Sequence, residues 1–263
     1  VFAMGRRLLA LFALAALAGG AVHAASSSQP KAPVDELSLE QEVGQLIVLS
    51  FSGTTPPEYV LTALREQRAA GVILFRGNVT SAGQVRALTG RLRREGGRPI
   101  VAVDQEGGDI RILSWAPPRA AAPEQAAAGT VRSDAEKAAH ALRSAGITVT
   151  LAPVADVPSV RGAALAERAF SSDPDETSES VAAAVAGWRA GGVAATAKHF
   201  PGLGGAKVNT DVASVTMRRT RAELERTDLP PFEAAIRAGV PLVMIGHARY
   251  PALDRRRIAS QSP

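Results

Sequence analysis

The chain has 263 residues, no cysteine and a formal net charge of +5 from 30 basic and 25 acidic side chains. The lack of cysteine excludes disulfides, thiolate metal sites, a thiol nucleophile and a lipid-carrying cysteine. Basic and acidic residues are interspersed and aromatics are few, so we expect no nucleic-acid partner. No metal-ligand or phosphate-binding motif is evident, and we expect neither a metal nor a cofactor.

The first 24 residues are typical of an export signal. Arg6 and Arg7 precede an apolar run over 8–17, and Val22-His23-Ala24 fits the small-x-small pattern that signal peptidase accepts. We expect cleavage after Ala24, then a flexible linker over 25–36, and a secreted or extracytoplasmic mature chain. The apolar run is short for a bilayer, so we expect no stable membrane span in the mature chain.

Apolar, β-branched runs alternate with Ala-, Arg- and Glu-rich stretches of helical spacing over 37–263. The candidate strands are 44–51, 71–75, 99–104, 146–153, 194–200 and 242–247. The candidate helices are 37–43, 57–70, 81–95, 133–146, 174–191 and 221–239. The alternation predicts an α/β fold of βα units around a parallel sheet. We predict a TIM-type (β/α) barrel in which about six of the eight units are present.

A doubly wound Rossmann-type sheet is the structural alternative, because it also alternates strands and helices. No G-x-G-x-x-G motif follows the first predicted strand. Polar side chains instead lie at the carboxyl ends of several different strands, namely Asp104, Asp156, His199 and His247. Those ends converge on one pocket in a barrel, so the barrel explains their placement better.

Two motifs carry most of the chemistry. Asp104-Gln105-Glu106-Gly107-Gly108 combines carboxylates that accept hydrogen bonds with glycines that let a ligand approach the backbone. Lys198-His199-Phe200-Pro201-Gly202 ends an apolar strand with a cation and an imidazole, which suit hydroxyl recognition. The structural alternatives are a solvated turn for the first motif and a histidine satisfied within the core for the second.

These motifs occur in an order that resembles glycoside hydrolase family 3, and in particular its β-N-acetylglucosaminidase (β-N-acetylhexosaminidase) branch. The segments that carry the resemblance are 44–47, 104–108, 152–156, 167–174, 198–202, 228–232 and 244–254. The resemblance implies a (β/α)-barrel in which Asp104 binds sugar hydroxyls. It also implies that Arg168, Lys198 and His199 contact the ring substituents of the sugar, and we expect His247 to face the same pocket.

The chain departs from the family at the groups that cleave the bond. The branch has an Asp-Ser/Thr-His motif after the Lys-His-Phe-Pro-Gly turn, and its histidine is the acid/base. Here the motif falls on Asn209-Thr210-Asp211, so Asp211 is either a substitute acid/base or a solvated loop acid. Leu203 and Asp109 also replace a histidine and an arginine usual in the family. The family's nucleophile, an aspartate after a seventh strand, has no counterpart here.

We interpret the chain as part of a retaining hydrolase of terminal β-linked N-acetylhexosamine, with little or no turnover by these 263 residues alone. The missing strands indicate a sequence cut off within a βα unit, although a short protein that only binds sugar also fits. One alternative function is a β-glucosidase-like member whose acid/base comes from another domain. Others are a non-catalytic carbohydrate-binding protein and, disfavoured, a nucleotide-binding α/β domain.

Overall fold

The computed structural model describes residues 36–263. The predicted export signal, and the predicted linker except for its last residue, lie outside the described residues. Within 36–263, no helix combines the length and the apolar composition needed to cross a bilayer.

All six predicted strands form, each shorter than its apolar run. They are β1 (Val48–Leu49), β2 (Gly71–Ile73), β3 (Ile100–Val103), β6 (Val149–Thr150), β7 (Thr196–Phe200) and β8 (Leu242–Ile245). The sequence missed a small antiparallel hairpin directly after β3, formed by β4 (Gln105–Gly107) and β5 (Ile110–Arg111). Strands of two or three residues are too short for a periodic signal, which is why the sequence does not reveal them.

The strands pair in parallel and in chain order. One sheet has the order β1-β2-β3-β6, and β7 pairs with β8. Parallel bridges from Val149 to Ala194 and from Val154 to Lys198 place β7 beside β6. In a doubly wound sheet the spatial order of the strands reverses partway along the chain. The strands described here follow one another without such a reversal, as expected for sequential βα units. The closed barrel and the number of its units remain predictions.

Helices form at every predicted position. Their bounds are α1 (Leu39–Gly44), α2 (Glu58–Arg65), α3 (Ala82–Gly96), α4 (Ala122–Ala127), α5 (Val131–Ser144), α6 (Pro174–Ala190), α7 (Arg221–Glu223) and α8 (Pro230–Arg237). Helix α4 was not predicted. The single helix predicted over 221–239 is wrong, because a π-helical turn at Leu224–Asp228 separates α7 from α8. Pro230 begins α8, and its missing N–H favours the first position of a new helix over a helix interior.

Helices α5, α6 and α8 pack side by side, and their apolar faces cover the strands. Gly187 lets α6 approach α5 closely, because a Cβ there would collide with the Arg132 carbonyl oxygen. The strand order places the carboxyl ends of β3, β6 and β7 next to one another. The residues that follow or end those three strands are therefore brought together at one edge.

Candidate functional site

Lys198 lies in β7 with its side chain only 2% exposed. Its Nζ is 2.6 Å from Asp104 Oδ1, at the end of β3, and 2.5 Å from Glu106 Oε1, in β4. A buried ammonium is costly unless it is paired and hydrogen-bonded, and these two carboxylates supply both. The lysine thus connects two strands that are distant in sequence.

Glu106 is the centre of a cluster that it forms with Asp104, Arg168 and Lys198. We call this group the Lys198 cluster. The Glu106 side chain is 4% exposed, and it accepts a bidentate pair of hydrogen bonds from Arg168, with Nε to Oε2 at 2.8 Å and Nη2 to Oε1 at 2.7 Å. Burial alone would raise the pKa of Glu106, but the Lys198 ammonium and the Arg168 guanidinium outweigh it and lower this pKa. The carboxylate is therefore fixed in its ionised form.

No individual role was predicted for Glu106 from the sequence. A signal was available, because residues two apart in a strand point to the same face, and Glu106 follows Asp104 by two. Its partner Arg168 is 62 residues away, and nothing local pairs them.

His199 is held by Asp156, which has no exposed surface. Asp156 Oδ2 is 2.7 Å from His199 Nδ1 and also accepts the His199 backbone N–H at 3.2 Å. Asp156 Oδ1 accepts the Leu203 backbone N–H at 2.5 Å. This pairing places the Nδ1 hydrogen towards Asp156, so the ring presents Nε2 at its other edge. Leu203 thus takes part in this pairing through its backbone N–H.

The turn after His199 rests on buried groups. Gly202 has φ of 122°, and a Cβ there would lie 2.6 Å from the Asp228 Cβ. Tyr250 donates its hydroxyl hydrogen to the Gly202 carbonyl oxygen at 2.8 Å. The positive φ and the close approach of Asp228 therefore both favour glycine at position 202.

Asp228 is a second group whose importance the sequence did not reveal. Its side chain is fully buried, with Arg219 Nε 3.2 Å from Oδ2. Neither carboxylate oxygen is hydrogen-bonded within the described residues, so the ion pair compensates burial only in part. Burial raises the pKa of Asp228 to about 7, against the opposing effect of Arg219, and the nearby Asp156 and Glu223 raise it further.

The exposed edges of the Lys198 cluster and of the neighbouring His199 could receive a polar ligand. Asp104 is 23% exposed, Arg168 21% and His199 17%. Beside Arg168 lies a cavity of about 680 Å³ that also borders the β4–β5 hairpin. A fork of donors, a carboxylate and an imidazole offer both donors and acceptors, which is what a sugar ring with several hydroxyls requires. No group of three or more His, Asp and Glu within 36–263 is arranged to hold a metal ion.

Two predicted site residues have other partners. Asp211 is exposed, and its backbone N–H and its Oδ2 both bond to the Asn209 side chain, at 3.1 Å each. His247 is exposed, with Nδ1 3.0 Å from Ser260 Oγ. The contacts described for residues 36–263 join neither of them to the Lys198 cluster, and their proposed roles remain predictions.

A family model described as "Glycosyl hydrolase family 3 N terminal domain" matches residues 38–263. A "Beta-hexosaminidase" of Xanthomonas oryzae pv. oryzae is 35% identical over 219 residues, which cover 78% of this chain and 65% of that protein. An "Uncharacterized secreted glycosyl hydrolase" of Arthroderma benhamiae is 34% identical over 248 residues, covering 88% of this chain and 69% of that protein.

Two solved structures are also similar to this chain. A glycoside hydrolase family 3 β-N-acetylglucosaminidase from Paenibacillus sp. has a TM-score of 0.79 at 29% identity, covering 85% of this chain and 44% of that one. A β-N-acetylhexosaminidase from Beutenbergia cavernae has a TM-score of 0.76 at 33% identity, covering 85% of this chain and 71% of that one. This chain thus spans 65% of the Xanthomonas relative and less than half of the Paenibacillus structure.

Proposed function

This chain belongs to glycoside hydrolase family 3, by its N-terminal domain, and we propose that it binds terminal β-linked N-acetylhexosamine as the sugar-binding part of a β-N-acetylhexosaminidase. The observation that carries this proposal is the cluster of Asp104, Glu106, Arg168 and Lys198, with His199 next to it in β7. The relatives named β-hexosaminidase and β-N-acetylglucosaminidase support the choice of sugar. The sequential parallel strands and the two TM-scores support a (β/α) barrel.

Within the cluster, the charges favour binding over bond cleavage. Asp104 is paired with Lys198, and Glu106 is paired with both Lys198 and Arg168. A carboxylate whose lone pairs accept hydrogen bonds from buried cations is a weak nucleophile, because attack would break those bonds. We assign these two carboxylates to holding hydroxyls and cations. A retaining reaction would then draw its nucleophile from another group of the whole protein.

Asp211 is our candidate for the acid/base. Asp211 is exposed in a turn, and its Oδ2 accepts a hydrogen bond from Asn209, so the described contacts do not position its carboxyl group against the Lys198 cluster. We therefore propose that these 263 residues bind sugar and turn it over slowly, if at all. The export pattern at 1–24 and the relative described as secreted support an extracytoplasmic location.

Calorimetry with N-acetylglucosamine tests the binding proposal. Asp104→Asn should weaken affinity by about 1–3 kcal/mol, because a charge-assisted hydrogen bond to a hydroxyl is lost. Asp175→Asn is the matched control, since Asp175 is an exposed carboxylate in the first turn of α6 that has no described bond to the cluster and does not line the cavity beside Arg168. Equal affinity for the two variants would overturn the assignment of Asp104.

Two further measurements separate the alternatives. Tighter binding of glucose than of N-acetylglucosamine would favour the β-glucosidase-like function. Hydrolysis of a chromogenic N-acetylglucosaminide by the full chain would contradict the low turnover proposed here. If hydrolysis occurs and Asp211→Asn abolishes it without changing sugar affinity, Asp211 is the acid/base.

A further inference from the structure

Six exposed arginines lie at the edge of the fold opposite the Lys198 cluster. They belong to four segments, 91–99, 143–147, 189–193 and 237–241, each of which contains the end of a helix and the residues that lead into β3, β6, β7 or β8. We call these segments the four connections. Because these strands are parallel, all four connections lie at the amino-terminal edge, whereas Asp104 follows the carboxyl end of β3. We call Arg93, Arg94, Arg98, Arg143, Arg189 and Arg237 the arginine arc.

The charged residues of the four connections are almost all basic. The four connections contain seven arginines and a single acidic residue, Glu95, for a net charge of +6. Residues 36–263 as a whole carry 27 basic and 24 acidic side chains, a net charge of +3, so everything outside the connections sums to −3. The positive charge is therefore concentrated in the four connections, and the remainder of residues 36–263 is slightly acidic.

Three arginines of the arc each contact the next connection, and so join the four connections to one another. Arg93 Nη2 lies 3.4 Å from the Cβ position of Gly146, and Arg143 packs directly over Gly192. Arg189 donates from Nη1 to the Ala238 carbonyl oxygen at 2.9 Å. Such contacts also cap helix ends, and the three arginines that make them remain exposed.

Carboxylates within the described chain leave most of the arc unneutralised. Glu95 is paired with Arg65 of the preceding helix, at 2.9 Å. Arg237 is 3.6 Å from Glu233, and the other five arginines of the arc have no ion pair within 36–263. Holding five exposed guanidinium groups near one another without counter-ions is unfavourable, and an anionic surface would relieve that repulsion.

We infer that the arginine arc is a docking surface for the phosphate-bearing face of an anionic lipid bilayer. Guanidinium groups bind phosphate oxygens in bidentate pairs, and basic clusters are drawn to anionic lipids by charge. The four connections hold no aromatic residue, so they lack the stacking groups of a single-stranded nucleic-acid site. Attachment by this edge would leave the Lys198 cluster facing solution, because the cluster lies at the opposite ends of the strands.

Sedimentation of the full chain with lipid vesicles tests the inference. The probe is phosphatidylcholine vesicles with and without phosphatidylglycerol, so the neutral vesicles measure any binding through the apolar run at 8–17. The test variant is Arg94→Gln/Arg98→Gln/Arg237→Gln, which removes three exposed charges of the arc. The control variant is Arg255→Gln/Arg256→Gln/Arg257→Gln, which removes three exposed charges from the run after β8, at the opposite edge.

We expect the chain to bind vesicles containing phosphatidylglycerol above the neutral baseline, more weakly as salt rises. The arc variant should lose at least roughly tenfold in partition coefficient, and the control less than about twofold. Binding no greater than the baseline would overturn the inference. So would equal losses in the two variants, or an arc-dependent affinity for duplex DNA that exceeds the affinity for the vesicles. Circular dichroism of both variants checks that the fold is unchanged.

Discussion

The two carboxylates of the cluster are expected to differ sharply in what they contribute to stability. Glu106→Gln removes a buried negative charge that pairs with Arg168 and Lys198. Breaking a buried ion pair by neutralising one partner costs about 3–5 kcal/mol, because the other charge is left uncompensated. Here Lys198 keeps Asp104, and Arg168 is partly exposed to water. The lower end of that range, about 3 kcal/mol, is therefore expected.

Asp104→Asn is the matched comparison. Asp104 is more exposed than Glu106, and it makes one ion pair, so its loss should cost about 1 kcal/mol or less. Urea denaturation at pH 7, followed by circular dichroism, measures both values. A destabilisation by Glu106→Gln that matches that of Asp104→Asn would refute the assignment of Glu106 as the centre of the cluster.

The pH dependence of the same pair gives an independent check. The pKa of Glu106 is lowered below 4.5 in the folded protein. A lowered folded pKa stabilises the fold above the unfolded pKa, and the stabilisation disappears as pH falls through the folded value. The difference between wild type and Glu106→Gln should thus shrink as the pH falls below about 4.5. A difference that stays constant down to pH 3 would contradict this electrostatic origin.

Three further predictions concern the support beneath the 198–202 turn. Because burial raises the pKa of Asp228 from 3.8 to about 7, wild type should lose stability as pH rises between those values, and Asp228→Asn should flatten the melting temperature over that interval. Parallel curves would exclude Asp228 as the cause. Tyr250→Phe should cost about 1–2 kcal/mol in urea denaturation, because the buried Gly202 carbonyl loses its donor. Gly202→Ala should cost about 2–4 kcal/mol through its clash with Asp228 and its positive φ. Gly53→Ala, at a positive φ with open space around it, should cost clearly less, and equal costs would show that the clash is unimportant.

Much of the fold could be predicted from the sequence, because its signals are local. Apolar runs located all six parallel strands, and helical periodicity with polar residues at the starts located most helices. Ser81 and Asp173, for example, cap α3 and α6 by accepting backbone N–H bonds. The β4–β5 hairpin and α4 were not predicted, because they contain too few residues to show a period.

The sequence by itself determined which residue types end the central strands, and from that came the prediction that Asp104, Lys198 and His199 lie in one site. The sequence could not determine which side chains pair with one another in that site. Glu106 meets an arginine 62 residues away, and Lys198 meets an aspartate 94 residues away. Asp228, the last residue of the π-helical turn before α8, lies beneath Gly202, and no local pattern predicts that contact. Burial and pairing between distant segments set the charge of each group, and only the tertiary structure decides which segments meet.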